Sequence, residues 1–143
     1  MTIQDSIHGP FHDFRKYHRQ DIIVKPKGPT IVCLCGSGRF RDAFAEAEYR
    51  ETLKGKIVLT IGCNTHDIAR EDELKHHKPL LDELHLRKID LADEILVLNI
   101  DGYIGDSTRS EIKYAEKHGK LVRYLEPPPN CLEGEGAVNL GPI

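Results

Sequence analysis

The sequence predicts an α/β protein: a single three-layer domain on a mainly parallel sheet of about five strands, flavodoxin/Rossmann-like. Three observations predict it. Four short apolar runs, TIVCLC (30–35), KIVLTI (56–61), EILVLNI (94–100) and KLVRYL (120–125), are spaced along the chain. Stretches of helical periodicity separate them. Turn residues close each run or the helix before it. A continuously apolar run reads as a strand covered on both faces, and strands alternating with helices build a parallel sheet.

Residues 1–28 read as an N-terminal arm, with Pro10, Pro26 and Gly28 and no sustained periodicity. The domain proper spans 29–126. Its first strand, Thr30 to Cys35, stops at Gly36-Ser37-Gly38. A helix is expected from about Arg39 to Leu53, with Phe40, Ala43, Phe44, Ala47 and Tyr49 or Arg50 in its rows and Gly55 at its end. The second strand ends at Gly62. Cys63 to His77 is polar and reads as a long loop with some helix. Pro79 suits the first turn of a new helix, which runs through Leu80, Leu81, Leu84, Leu86 and Ile89 to about Leu91. The third strand leads into the loop Asp101-Gly102-Tyr103-Ile104-Gly105-Asp106. A helix from Ser107 or Thr108 to His118 is closed by Gly119, and the fourth strand follows. Residues 127–143 are rich in Pro and Gly and read as an irregular tail.

The 143 residues fit one domain, long enough to bury on the order of 70% of its unfolded surface. The net charge of -3 argues against nucleic acid as a partner. No apolar run approaches the roughly 20 residues that cross a bilayer, so no membrane partner is expected. The polar N-terminus carries no apolar core of a signal peptide. The chain therefore reads as cytoplasmic. Its four cysteines lack a secreted disulfide pattern. Cys33 and Cys35 would share one strand face as small hydrophobes. A Cys-x-Cys metal or redox site is the alternative, but the neighbouring ligands of a zinc pattern are missing. Reduced thiols, with no metal and no cofactor, are the expectation.

Open parallel sheets bind ligands beyond the carboxyl ends of their strands, which directs attention to the residues after Cys35, Ile61 and Ile100. Gly36-Ser37-Gly38-Arg39 joins a strand to a helix. Glycines allow close backbone approach, and a helix N-terminus offers free N–H groups to an anion. Arg39 would add charge-assisted bonds to a phosphate. The plainer reading is a tight turn capped by Ser37. In the second loop, Glu111 follows near a helix start, where the dipole favours its ionised form. A carboxylate facing the crevice could attack a sugar carbon. Thr108-Arg-Ser-Glu111 also fits a capping box, in which Glu111 only bonds back to the N-cap amide. His66, His76, His77 and His85 crowd one region with Asp67, Glu71 and Asp72, without a recognised ligand spacing. His85 could face the crevice.

Strand–Gly36-Ser37-x-Arg39, then Ala92-Asp93 before an apolar strand, then Ser-Glu111-Ile-x-Tyr-Ala115, resembles the nucleoside 2-deoxyribosyltransferase superfamily over about Thr30 to Leu125. That superfamily includes 2'-deoxynucleoside 5'-monophosphate N-glycosidases. The resemblance implies that Glu111 attacks the anomeric carbon, the base departs, and water or a second base resolves the glycosyl ester. His85, with Asp82 or Asp101, would then be the acid/base or orienting group. Sugar and phosphate would be held by Gly36, Ser37, Arg39, Asp106, Ser107 and Thr108, and Tyr103 would cover the base. A homo-oligomer is implied as well. Two positions depart from the family pattern. His85 stands eight residues before Asp93, where the family commonly has aspartate. Gly105 stands six before Glu111, where another is usual. The competing readings are a non-catalytic nucleotide-binding or sensing domain, and an interaction module with no small ligand.

Overall fold

The computed structural model describes residues 28–63 and 68–128. Residues 1–27 of the arm, the tail beyond 128, His66, Asp67 and Cys131 lie outside the described residues. Within them, strands β1 (Ile31–Cys35), β2 (Ile57–Leu59), β3 (Glu94–Val97) and β4 (Leu121–Tyr124) alternate with helices α1 (Arg41–Leu53), α2 (Glu71–Leu91) and α3 (Asp106–Lys117). The strands form one sheet in the order β2-β1-β3-β4. Every pairing is parallel, with Ile31 opposite Ile57, Cys35 opposite Val97 and Val97 opposite Tyr124. The described sheet has four strands where the sequence suggested about five.

Period-two alternation along the central strands divides the core in two. Val32 and Leu34 of β1, with Leu96 and Leu98, meet Phe44 and Ala47 of α1 on one face. Cys33 and Cys35, with Ile95 and Val97, meet Ile89 of α2 and Ile112 and Ala115 of α3 on the other. Helices thus cover both faces, giving three layers. The path from β1 runs to β2, then back across β1 to β3. The connections leaving β1 and β3 therefore diverge to opposite faces, and a crevice is expected between the carboxyl ends of those two strands.

One boundary differs from expectation. Helix α2 begins at Glu71, two turns before Pro79, so Pro79 is internal. An internal proline removes one helical hydrogen bond, at a cost of about 3 kcal/mol. Glu71, Asp72 and Glu73 occupy the first turn, where the helix dipole favours acids. Exposed ion pairs Lys75–Glu71 and Lys78–Asp82 bracket the proline, each adding a few tenths of a kcal/mol. Helix propagation on both sides outweighs the single break.

The amino ends of the strands hold a buried charge cluster. Arg123 of β4 donates from Nη2 to Glu51 of α1 and to Glu94 of β3. Lys56 Nζ donates to Glu94 at 2.6 Å. Asp93, the aspartate of the Ala92-Asp93 pair, accepts the Ile31 N–H at 2.8 Å and so ties the start of β1 to β3.

Candidate functional site

Glu111 lies on α3 beside the carboxyl end of β1, with 15% of its side chain exposed. Helix α3 starts at Asp106 with Gly105 as its N-cap, and no side-chain hydrogen bond caps it. The capping-box reading of Thr108 and Glu111 is therefore not what the structure has. Thr108 is buried within the first turn, and Glu111 Oε2 is buried without a hydrogen-bond partner. Instead, Glu111 turns towards α2, and its Oε2 is 3.8 Å from Nε2 of His85.

His85 joins the site to β1. The same Nε2 is 3.4 Å from Cys35 Sγ and 3.7 Å from Cys33 Sγ. The three donor atoms of Cys33, Cys35 and His85 lie within 4.8 Å of one another, and all three residues are buried. Alternation puts both thiols on one face of β1, and His85 reaches them from the helix covering that face. Strand spacing makes the shared face of the thiols legible. The helix row that delivers His85 to them has no short-range signature, and the sequence reading did not connect the two.

The electrostatics are mutual. Burial pushes the Glu111 carboxyl up, as does the Cys33 charge, while the His85 imidazole opposes them. Burial alone would lower His85, but its bond to Cys33 and the nearby charges of Cys33 and Glu111 hold it above the usual range. A hydrogen bond with Cys35 lowers the Cys33 thiol to about 6 against its burial, with His85 and Lys88 assisting. Its bond to Cys33 and its burial push Cys35 up. Lys88, one turn after His85, donates from Nζ to the Thr60 carbonyl at 2.6 Å. Sequence reasoning passed over Lys88, and also Asn99 at the end of β3. Asn99 is fully buried, donates to the Glu126 carbonyl and accepts the Glu126 N–H, both at 2.8 Å. Nothing in its local pattern sets it apart from any polar residue ending a strand.

The other expected residues are distributed around this centre. Gly36 is wedged against β3: a Cβ there would meet Leu98 Cβ at 3.1 Å and Leu98 O at 3.3 Å. Close packing accounts for this glycine. Ser37 Oγ accepts the Arg39 N–H at 3.5 Å and does not cap α1, whose N-cap is Phe40. The Arg39 guanidinium stacks over Tyr103, 3.7 Å from the ring centroid, and Tyr103 meets Phe40 edge-on. The first and second crevice loops thus touch through Arg39 and Tyr103. Asp106 and Ser107 are exposed at the start of α3. Asp106 adds a negative charge to the first turn of that helix, where it competes with any anion. Asp101 is exposed, adopts a left-handed backbone (φ 52°), and makes no described hydrogen bond or ion pair to His85 or Glu111. Asp82 is exposed and paired with Lys78, yet its charge still reaches Glu111. His77 donates from Nδ1 to the Glu73 carbonyl at 2.8 Å and shares with Gly62, Arg70 and Glu73 a cleft of about 380 Å³ below the end of β2.

Comparisons with protein-family models, curated proteins and solved structures give no match to this chain. Among the described residues, no helix is long and apolar enough to cross a membrane.

Proposed function

We propose that the chain cleaves the N-glycosidic bond of a nucleoside or nucleoside 5'-monophosphate, with Glu111 as nucleophile. The observation that carries this reading is the position of Glu111. Its carboxylate is held where the β1 and β3 connections diverge, with one oxygen free of hydrogen bonds. With no hydrogen bond on it, that oxygen keeps its lone pairs for a reacting carbon, beside its contact with His85. A buried, poorly solvated carboxylate is also a stronger nucleophile than a hydrated one. His85 is the neighbouring group that can exchange a proton with the departing base or the attacking water. It replaces the supporting aspartate that the family resemblance would lead one to expect. Arg39 and Tyr103, stacked at the mouth, are suited to a phosphate and a flat base respectively.

In the first step Glu111 forms an ester to the anomeric carbon while the glycosidic bond to the base nitrogen breaks. The base takes a proton from His85. In the second step water attacks the same carbon, returns a proton to His85 and frees Glu111. A second base in place of water gives transfer.

The test is base release from a panel of nucleosides and their 5'-monophosphates, with Glu111→Ala beside the wild type. Release that disappears in Glu111→Ala supports cleavage. Nucleotide-dependent stabilisation without release from any substrate overturns it and favours a nucleotide-sensing domain.

A further inference from the structure

We infer that Cys33, Cys35 and His85, with Glu111 as fourth donor, form a binding site for a soft-to-borderline divalent metal ion of the zinc class. This does not rest on the glycosidic reading. A tetrahedral zinc site has metal–sulfur distances of about 2.3 Å and metal–imidazole distances of about 2.0–2.1 Å, so its donor atoms stand roughly 3.5–3.8 Å apart. His85 Nε2 already lies 3.4 Å from Cys35 Sγ and 3.7 Å from Cys33 Sγ. The mutual limit of 4.8 Å on the three donors leaves only a small inward rotation to close the set.

The fourth position is occupied by the right kind of atom. Glu111 Oε2 stands 3.8 Å from the same imidazole nitrogen and makes no hydrogen bond. A buried oxygen left without a hydrogen bond is costly to the fold, and a cation would satisfy it. Two thiolates and a carboxylate around a divalent ion leave one net negative charge, which neighbouring Lys88 offsets. The rigid framework favours the same geometry. Both cysteines belong to a central strand paired on each side, and His85 is anchored on a helix packed against it. On binding, each thiol surrenders its proton to solvent and the metal takes its place. If Glu111 is the nucleophile proposed above, bound metal also claims its carboxylate, and metal loading and turnover exclude one another.

The experiment uses the full chain carrying Cys63→Ser and Cys131→Ser, reduced with a phosphine, and Co²⁺ as probe. The expected result is one Co²⁺ per chain, with thiolate-to-cobalt charge-transfer absorption and the intense visible bands of four-coordinate cobalt. Zn²⁺ should bleach both. Adding Cys33→Ser or Cys35→Ser should weaken binding at least tenfold, and Glu111→Gln should weaken it while sparing the thiolate band. If those variants do not fold, X-ray absorption of the Zn²⁺-loaded parent decides, with two sulfur and one imidazole neighbour expected. A folded parent showing no thiolate band, or a zinc spectrum with only nitrogen and oxygen neighbours, overturns the site. So does full-strength binding that survives both cysteine substitutions.

Discussion

Nε2 of His85 faces Oε2 of Glu111 across 3.8 Å while also contacting both thiols of β1. One imidazole therefore links a strand and two helices at a single point. If it moves the proton in glycosidic cleavage, His85→Gln should lower kcat by about 10²-fold with KM little changed. Steady-state kinetics on the preferred substrate, beside a melting curve confirming the fold, measure this. An unchanged kcat would remove His85 from the reaction.

The unpartnered Glu111 oxygen is a cost to the fold. Replacing the carboxylate with the isosteric amide removes a buried charge. Glu111→Gln should abolish turnover and raise the metal-free melting temperature by roughly 3–6 °C, about 1 kcal/mol. Calorimetry in the presence of a chelator reads the shift. A drop in melting temperature would mean that the carboxylate is structural.

Gly36 should not accept even one methyl group. Its Cβ would press on the Leu98 Cβ and carbonyl and, at 3.5 Å, on Phe44 Cζ. Gly36→Ala should cost about 1–3 kcal/mol by overpacking, measurable by urea denaturation. A neutral result would reopen the idea that this glycine is there for a ligand.

Arg123 neutralises Glu51 and Glu94 inside the fold. Arg123→Ala should cost about 3–5 kcal/mol by stranding two buried acids. Burial alone would raise the Glu51 carboxyl, but the Arg123 bond and charge, with Lys56 and Lys54, hold it below the usual carboxylate range. An acid depressed in the folded state binds its proton less readily there than in the unfolded chain. Its contribution is complete above the unfolded value and drains away as pH falls through the folded one. Stability measured from pH 7 down to about 3 should therefore fall less steeply in Glu51→Gln than in the wild type.

Arg39 and Tyr103 offer a split in specificity. If Arg39 receives the phosphate, Arg39→Ala should raise KM for a 5'-monophosphate about 10–100-fold and leave the free nucleoside unchanged. Equal losses for both substrates would assign Arg39 to the Tyr103 stack.

The sheet was legible because each strand is short, apolar and bounded by turn residues, and strand boundaries moved by only a few residues. The start of α2 was not, because Pro79 reads locally as a beginning while cooperative helix formation over 71–91 decides otherwise. Glu111 was visible from its place after an apolar strand. The competing cap at Thr108 could be dismissed only once the helix was seen to begin at Asp106. Cys33 and Cys35 could be placed on one face, but their meeting with His85 depends on the angle at which α2 crosses the sheet. No local pattern encodes that angle. Ser37 Oγ accepts the Arg39 N–H, and Asp101 takes a left-handed backbone, two local details that spacing does not encode.

The two thiols of β1 have no solvent exposure, whereas Cys63 is exposed. A thiol reagent can reach Cys33 or Cys35 only when helices α2 and α3 lift from that face of the sheet. Their labelling rate thus times the opening of that half of the core, with Cys63 reporting the reagent's unhindered speed in the same tube. The molecule carries its own clock for unfolding.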